Sequence, residues 1–138
     1  MLNPQQTPVN DRLDIHDEAS RKSAATLILN LFERWQLDTQ TQLNLLGLSP
    51  NSRALLSKYR KGDPLPNHRD VLDRVGWLLA CHKALRLLYP RNPELRYDWV
   101  NKRNEAFNAY TPLEIMREQG LLGIARVSRY LDFMRGPQ

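Results

Sequence analysis

The side chains that could ligate a metal or act as a nucleophile are few: His16, His68, His82 and the single cysteine, Cys81. A structural or catalytic zinc site needs three or four ligands gathered at recognisable spacing. These histidines are scattered, and no cysteine or carboxylate joins them at ligand spacing, so no metal centre is expected. A reactive thiol wants an exposed, electropositive setting. Cys81 lies instead in the uncharged run from Val75 to Cys81 and reads as a small buried hydrophobe. Glu114 and Glu118 share a helix face, but Arg117 and solvent account for them better than acid–base work. No glycine-rich loop follows a strand to cradle a nucleotide. The chain reads as a non-enzyme with no cofactor.

Two other groups of residues carry more promising chemistry. Between Arg53 and Arg69 there are five Lys/Arg against one Asp. On a helical wheel Ser52, Leu55, Leu56 and Tyr59 fall on one side. Arg53, Ala54, Ser57 and Lys61 face the other way, with Lys58 and Arg60 on the flanks. An apolar face for the domain and a basic, hydroxyl-bearing face outward is how a DNA recognition helix is divided. On this reading Arg53 and Ser57 read base edges, while Lys58, Arg60 and Lys61 hold phosphates. The alternative is a solvated helix that is merely basic. The second group is Leu122, Arg126, Arg129, Tyr130 and Phe133, spaced by three and four so that they form one stripe. Aromatics that fill pockets and arginines with planar, multiple donors are the materials of a binding hot spot. The same stripe would also suit packing against its own chain, or a homodimer contact.

These groups need elements to hold them. Met1 to Lys22 is polar, contains Pro4 and Pro8, and reads as a leader with at most a short helical turn around Asp14 to Ser20. Ala24, Leu27, Ile28, Leu31, Phe32 and Trp35 recur at helical spacing and predict an amphipathic helix from about Ser23 to Leu37. Asp38 is an N-cap for a short helix that ends at Leu46, with Gly47 in the C′ position. Ser49-Pro50 reads as the cap and first residue of a third helix that stops at Gly62. Two short helices separated by Gly-Leu-Ser suggest a helix-turn-helix.

The longest element follows the proline-pinned connector Asp63 to Asn67. Arg69 to Tyr89 predicts a helix of about 20 residues, roughly 30 Å long. Its uncharged middle suggests burial on all sides, with Trp77, Leu78, Leu79 and Leu85 joining the two halves of the chain. Asp70 and Asp73 lie towards its start and His82, Lys83 and Arg86 towards its end, as the helix dipole favours. Pro90 stops it. Beyond it, Asn92 caps a helix from Pro93 bearing Leu95, Trp99 and Val100, and Asn101 to Glu105 forms a polar loop. Thr111-Pro-Leu-Glu114 has the pattern of a capping box and opens a helix closed by Gly120. A last helix from about Leu121 to Arg135 turns Ile124, Val127, Leu131 and Met134 to the core. No strand is evident, so the fold expected is all-α.

The totals agree with this picture. A chain of 138 residues, 41% hydrophobic and 25% charged, fits one domain or two small modules sharing a core. The net charge of +5 permits an anionic partner without naming one. No signal-peptide pattern opens the chain and the central uncharged run is too short for a bilayer, so a cytoplasmic protein without a membrane partner is the default.

The residues also resemble a family. Trp35-Gln-Leu37, Leu45-Leu-Gly47, Tyr59-Arg-Lys-Gly62, Leu65-Pro66, Leu72-Asp-Arg-Val75, Leu78-Leu79 and His82-Lys-Ala-Leu-Arg-Leu-Leu88 are similar in order and spacing to the Xre/MbcA/ParS antitoxins. So are Trp99-Val100, Asn104, Phe107, Pro112-Leu-Glu114, Gly120, Gly123 and Tyr130-Leu-Asp132. One departure is Asn108-Ala-Tyr110, where the family usually has a glycine-containing turn. The resemblance implies a leader (1–22), an Xre-like helix-turn-helix domain with the central helix (23–89) and a toxin-binding domain (90–138). It implies a homodimer that represses its own operon by binding operator DNA and neutralises a RES-domain toxin, an enzyme that breaks down NAD. Under that reading Leu122, Arg126, Arg129, Tyr130, Phe133 and Arg135 bind toxin, and the tail from Arg135 reaches its NAD cleft. The competing reading is a stand-alone dimeric transcriptional regulator.

Overall fold

The computed structural model describes residues 16–137, and its six α-helices, with no β-strand among those residues, make an all-α fold. Most of the expected leader (1–15) lies outside the described residues. The remainder of it does not behave as a leader. The first helix, α1, spans Glu18–Arg34 and so starts ahead of the expected Ser23. Asp17 supplies the reason, since its carboxylate accepts from the Ser20 amide at 2.7 Å. A long-range tie fixes the same turn: Arg21 Nη1 donates to the Leu65 carbonyl at 2.8 Å. The chain leaves α1 through Gln36, a non-glycine residue with φ of 60°.

Helix α2 (Thr39–Leu46) is capped as expected at both ends. Asp38 accepts from the Thr41 amide at 2.8 Å, and those donors hold its carboxyl below the ordinary carboxylate value. Gly47 ends the helix in the left-handed region, φ 71°. A Cβ there would also stand 2.6 Å from Arg74 Nε, so glycine is required twice over. Helix α3 spans Arg53–Arg60 and begins later than the Ser49-Pro50 signal suggests. Ser49 instead makes a turn: its Oγ accepts from the Asn51 amide at 3.2 Å, and its carbonyl accepts from the Ser52 amide at 2.9 Å. Proline therefore sits in the turn, not in the first turn of the helix.

The central helix, α4, spans Arg69–Leu88. Val71, Leu72, Val75, Leu78, Cys81, Ala84 and Leu85 are buried. It is not buried all round, because Gly76, Ala80, Lys83 and Leu87 lie on an exposed face and Trp77 and Leu79 are only half-buried. Lack of charge was the sequence signal, but glycine and alanine have little to hide and tolerate either environment. Arg74 ties α4 to its neighbours: it is held by Asp70 at 3.1 Å, and its Nη1 reaches the carbonyls of Asn44 and Leu45 at 3.4 and 3.5 Å. Those carbonyls are at the C-terminal end of α2, which a cation favours.

Asn92 caps α5 (Pro93–Asp98) by accepting from the Leu95 amide at 3.1 Å. Two 3-10 turns follow, Trp99–Asn101 and Glu105–Phe107. Asn101 Nδ2 donates to the Trp35 carbonyl at 3.1 Å, a polar link between the two ends of the fold. The loop closes where the Asn104 amide donates to the Tyr110 carbonyl at 3.1 Å. Within it Asn108 and Ala109 both have positive φ, 55° and 69°. The departure at Asn108-Ala-Tyr110 thus keeps left-handed backbone without glycine, at a steric cost.

The last element, α6 (Pro112–Arg135), opens with a full capping box: the Glu114 amide donates to Thr111 Oγ1 at 3.0 Å and the Thr111 amide to Glu114 Oε1 at 2.8 Å. It is broken at Gly120, φ 62° and ψ −139°, as its sequence suggested. Gly123 lets the two halves approach, since a Cβ there would lie 2.3 Å from the Ile115 carbonyl oxygen. The helix as a whole packs on α4, the most extensive helix contact among the described residues. One core cluster runs from Ala24 to Leu131 and includes Trp35, Leu65, Leu78, Phe107 and Met116.

Candidate functional site

On α3 the division seen on the wheel holds. Leu56 and Tyr59 are buried and Leu55 and Ser52 half-buried, whereas Arg53, Ser57, Lys58, Arg60 and Lys61 are all exposed. None of the four cations is in an ion pair among the described residues. Arg60 alone is steadied, by a long 3.4 Å hydrogen bond from its Nη2 to Gln42 Oε1. Gln42 is itself buried and donates to the Leu37 carbonyl at 3.0 Å. Burial pushes the Tyr59 hydroxyl pKa up, with Asp63 adding to it, so this ring is a neutral wedge beneath the helix. The result is a helix that carries its positive charge outward, with Arg60 alone tied back to the body of the fold among the described residues.

The second surface is on the C-terminal half of α6. Leu122 and Phe133 are 79% and 81% exposed, uncommon values for large apolar side chains on the same helix face. Between them Arg126 and Arg129 are exposed, and each is positioned by an aromatic ring. The Arg126 guanidinium lies 5.3 Å from the Phe107 centroid and that of Arg129 lies 6.0 Å from Trp77. Cation–π contacts of this length restrict a guanidinium without consuming its N–H donors. The structure therefore brings Leu122, Arg126, Arg129 and Phe133 together on one face.

Two expectations for this helix need correction, the free exposure of Tyr130 and the burial of Met134. Tyr130 leaves the stripe: it is half-buried, stacked on Trp99 at 6.3 Å and edge-on to Phe107 at 5.1 Å. It supports the ring beneath Arg126 and is not a free anchor. Met134, expected in the core, is 37% exposed, because it lies in the final turn, beyond the last buried position, Leu131. Arg135 is paired with Asp132 at 3.1 Å, and the backbone departs from the helix at Gly136, φ 78°. Phe107 and Trp77 also belong to this surface, beneath Arg126 and Arg129. Their contribution comes from tertiary neighbours, and no local spacing announces it.

Cys81 fits its reading. Burial raises its thiol to about 12, so it is protonated at physiological pH. Among the described residues no three His, Cys, Asp or Glu side chains come together in a way that could hold a metal ion. No helix among them is long and apolar enough to cross a membrane.

The family described as the antitoxin Xre/MbcA/ParS C-terminal toxin-binding domain matches residues 84–137. The chain belongs to the Xre/MbcA/ParS antitoxin family. The matched segment contains α5, both 3-10 turns and α6, and so the whole exposed stripe with the Phe107 ring that positions Arg126. Across nearly its full length the chain is also similar to y4oB, an uncharacterised protein of Sinorhizobium fredii (strain NBRC 101917 / NGR234). The two are 30% identical over 129 residues, 94% of this chain and 97% of that protein. An antitoxin's toxin-binding domain implies a toxin as partner.

Proposed function

We propose that the protein is the antitoxin of a two-protein system. It docks on a RES-domain, NAD-degrading toxin through Leu122, Arg126, Arg129 and Phe133, and as a homodimer it represses its own operon through α3. The observation that carries the toxin contact is the exposure of Leu122 and Phe133 on either side of two aromatic-positioned arginines, inside the segment that matches a toxin-binding domain. Large exposed apolar side chains flanked by arginine are characteristic of protein interfaces. Deletion of the tail after Met134 should retain binding but leave NAD breakdown uninhibited, if the tail enters the toxin's cleft.

The operator contact is supported by the unpaired cations of α3 and by a glycine-ended turn between α2 and α3. The test of the toxin contact is co-purification with the product of the adjacent gene. An Arg126→Ala/Arg129→Ala double variant should remain folded, because both side chains are exposed, yet fail to retain that protein. Undiminished retention would move the interface elsewhere. A stand-alone regulator would recover no such protein with the wild-type chain.

A further inference from the structure

Two cavities flank α1, and their charges differ. The larger, about 680 Å³, is lined by Glu33, Gln42, Tyr59 and Arg60 among others; its cation is matched by a carboxylate and held by Gln42. The smaller, about 380 Å³, lies between α1, α4 and α5. Its lining includes Arg34, Lys83, Arg86 and His82 and not one carboxylate. Among the described residues, Arg34, Lys83 and Arg86 make no ion pair. Leu27, Leu31 and Leu79 supply an apolar wall, and Leu27 is 56% exposed.

The aromatic lining is organised around the same charges. Tyr97 stacks on the His82 ring at 5.9 Å and receives the guanidinium of Arg34 at 5.1 Å. Arg96, 5.7 Å from that ring, is occupied elsewhere by the carbonyls of Tyr89 and Pro90, at 3.1 and 2.8 Å. His82 Nδ1 is buried with no hydrogen-bond partner. Its pKa is lowered, first by burial and then by Arg86, Arg96 and Arg34. Cations from two helices thus line a concave, partly apolar site with no carboxylate in its lining among the described residues. A cavity of this size suits a compact small molecule.

We propose that this cavity binds a phosphate monoester, its phosphoryl oxygens taken by Arg34, Lys83 and Arg86 and its organic part lying on Leu27 and Leu79. Phosphate is favoured over carboxylate because it carries up to two charges and more oxygens, enough to engage several cations at once. Arginine forks also match phosphate geometry in bidentate fashion. The inference does not depend on the toxin or operator contacts, which lie on α6 and α3.

Phenyl phosphate is a suitable probe, titrated into the full chain at constant ionic strength while the histidine ring resonances are followed by NMR. His82 should shift saturably and its titration should move upward, since the bound dianion offsets the arginine charges. His16 and His68 should stay in place and serve as internal references. Lys83→Gln/Arg86→Gln, both exposed positions, should weaken binding about tenfold or more through loss of two charge-assisted contacts. Benzoate of the same shape should bind more weakly than the phosphate ester. The proposal is overturned if His82 does not respond, if the double variant binds equally well, or if benzoate matches phenyl phosphate. That last result would indicate a site for acidic protein side chains.

Discussion

Helix α3 and the second half of α6 both carry exposed arginine or lysine, but they are built differently. On α3 no outward cation lies over an aromatic ring among the described residues, and every large apolar residue is at least half-buried. On α6 the arginines rest against Phe107 and Trp77, and Leu122 and Phe133 remain in solvent. Mobile charge can follow a phosphate backbone, where most of the affinity is electrostatic. Positioned guanidinium groups and projecting apolar side chains suit a shaped protein surface, where a few anchors dominate. Charge alone would have classed the two surfaces together. What separates them is whether apolar area accompanies the charge.

The comparison can be broken most severely through the core that supports both surfaces. Leu78 is fully buried in the single cluster, so Leu78→Ala should cost roughly 2–5 kcal/mol. Denaturation should show one transition, and both activities should fall together. Two separate transitions would mean that the surfaces sit on independent units. Gly123→Ala should separate them. Its Cβ would meet the Ile115 carbonyl at 2.3 Å, and a forced backbone shift of this kind costs about 1–3 kcal/mol. Toxin capture should weaken while operator affinity is retained; loss of both would show that the kink also supports α3.

Thr111→Ala removes the hydroxyl's half of the capping box, leaving the backbone donor to Glu114, and should cost about 1 kcal/mol. Its effect should depend on pH. The Thr111 amide, which alanine keeps, and the hydroxyl, which it loses, hold the Glu114 carboxyl below its ordinary value of 4.5, so only the hydroxyl's contribution is at stake. That contribution is complete above the ordinary value and fades as pH falls through the lower folded value. The stability gap between variant and wild type, measured by denaturant titration, should therefore narrow in acid; a gap constant into strong acid would exclude the carboxylate's share. The smallest effect distinguishes the surfaces by salt. Lys61→Ala should lower the magnitude of the salt slope of operator binding by about one, for all sequences alike, whereas Arg53→Ala should relax specificity at one base position. If neither alters retention of the protein's own promoter fragment, α3 is not the reading helix.

Caps were the most legible feature of the sequence, because Asp38, Asn92, Thr111, Gly47 and Gly120 each act within a turn of their own position. Boundaries set by distant partners were not. Arg21 anchors the start of α1 to the Leu65 carbonyl, so a polar stretch that looks unstructured is helical from Glu18. The face of α3 could be read because burial of Leu56 and Tyr59 fixes its rotation. The α6 stripe was only partly readable: its spacing grouped Tyr130 with the others, but Trp99 and Phe107 draw that ring inward. Arg74 and Trp77 act across helices, and only the folded chain shows their partners.

The most direct test of the account is the cellular NAD level when the adjacent gene's product is expressed with and without this protein. Expressed alone, that product should deplete NAD, and co-expression with the wild-type chain should restore it. The Arg126→Ala/Arg129→Ala variant, at equal abundance, should leave NAD depleted. NAD that stays low beside abundant, folded wild-type protein, or that the double variant restores equally well, would contradict the account.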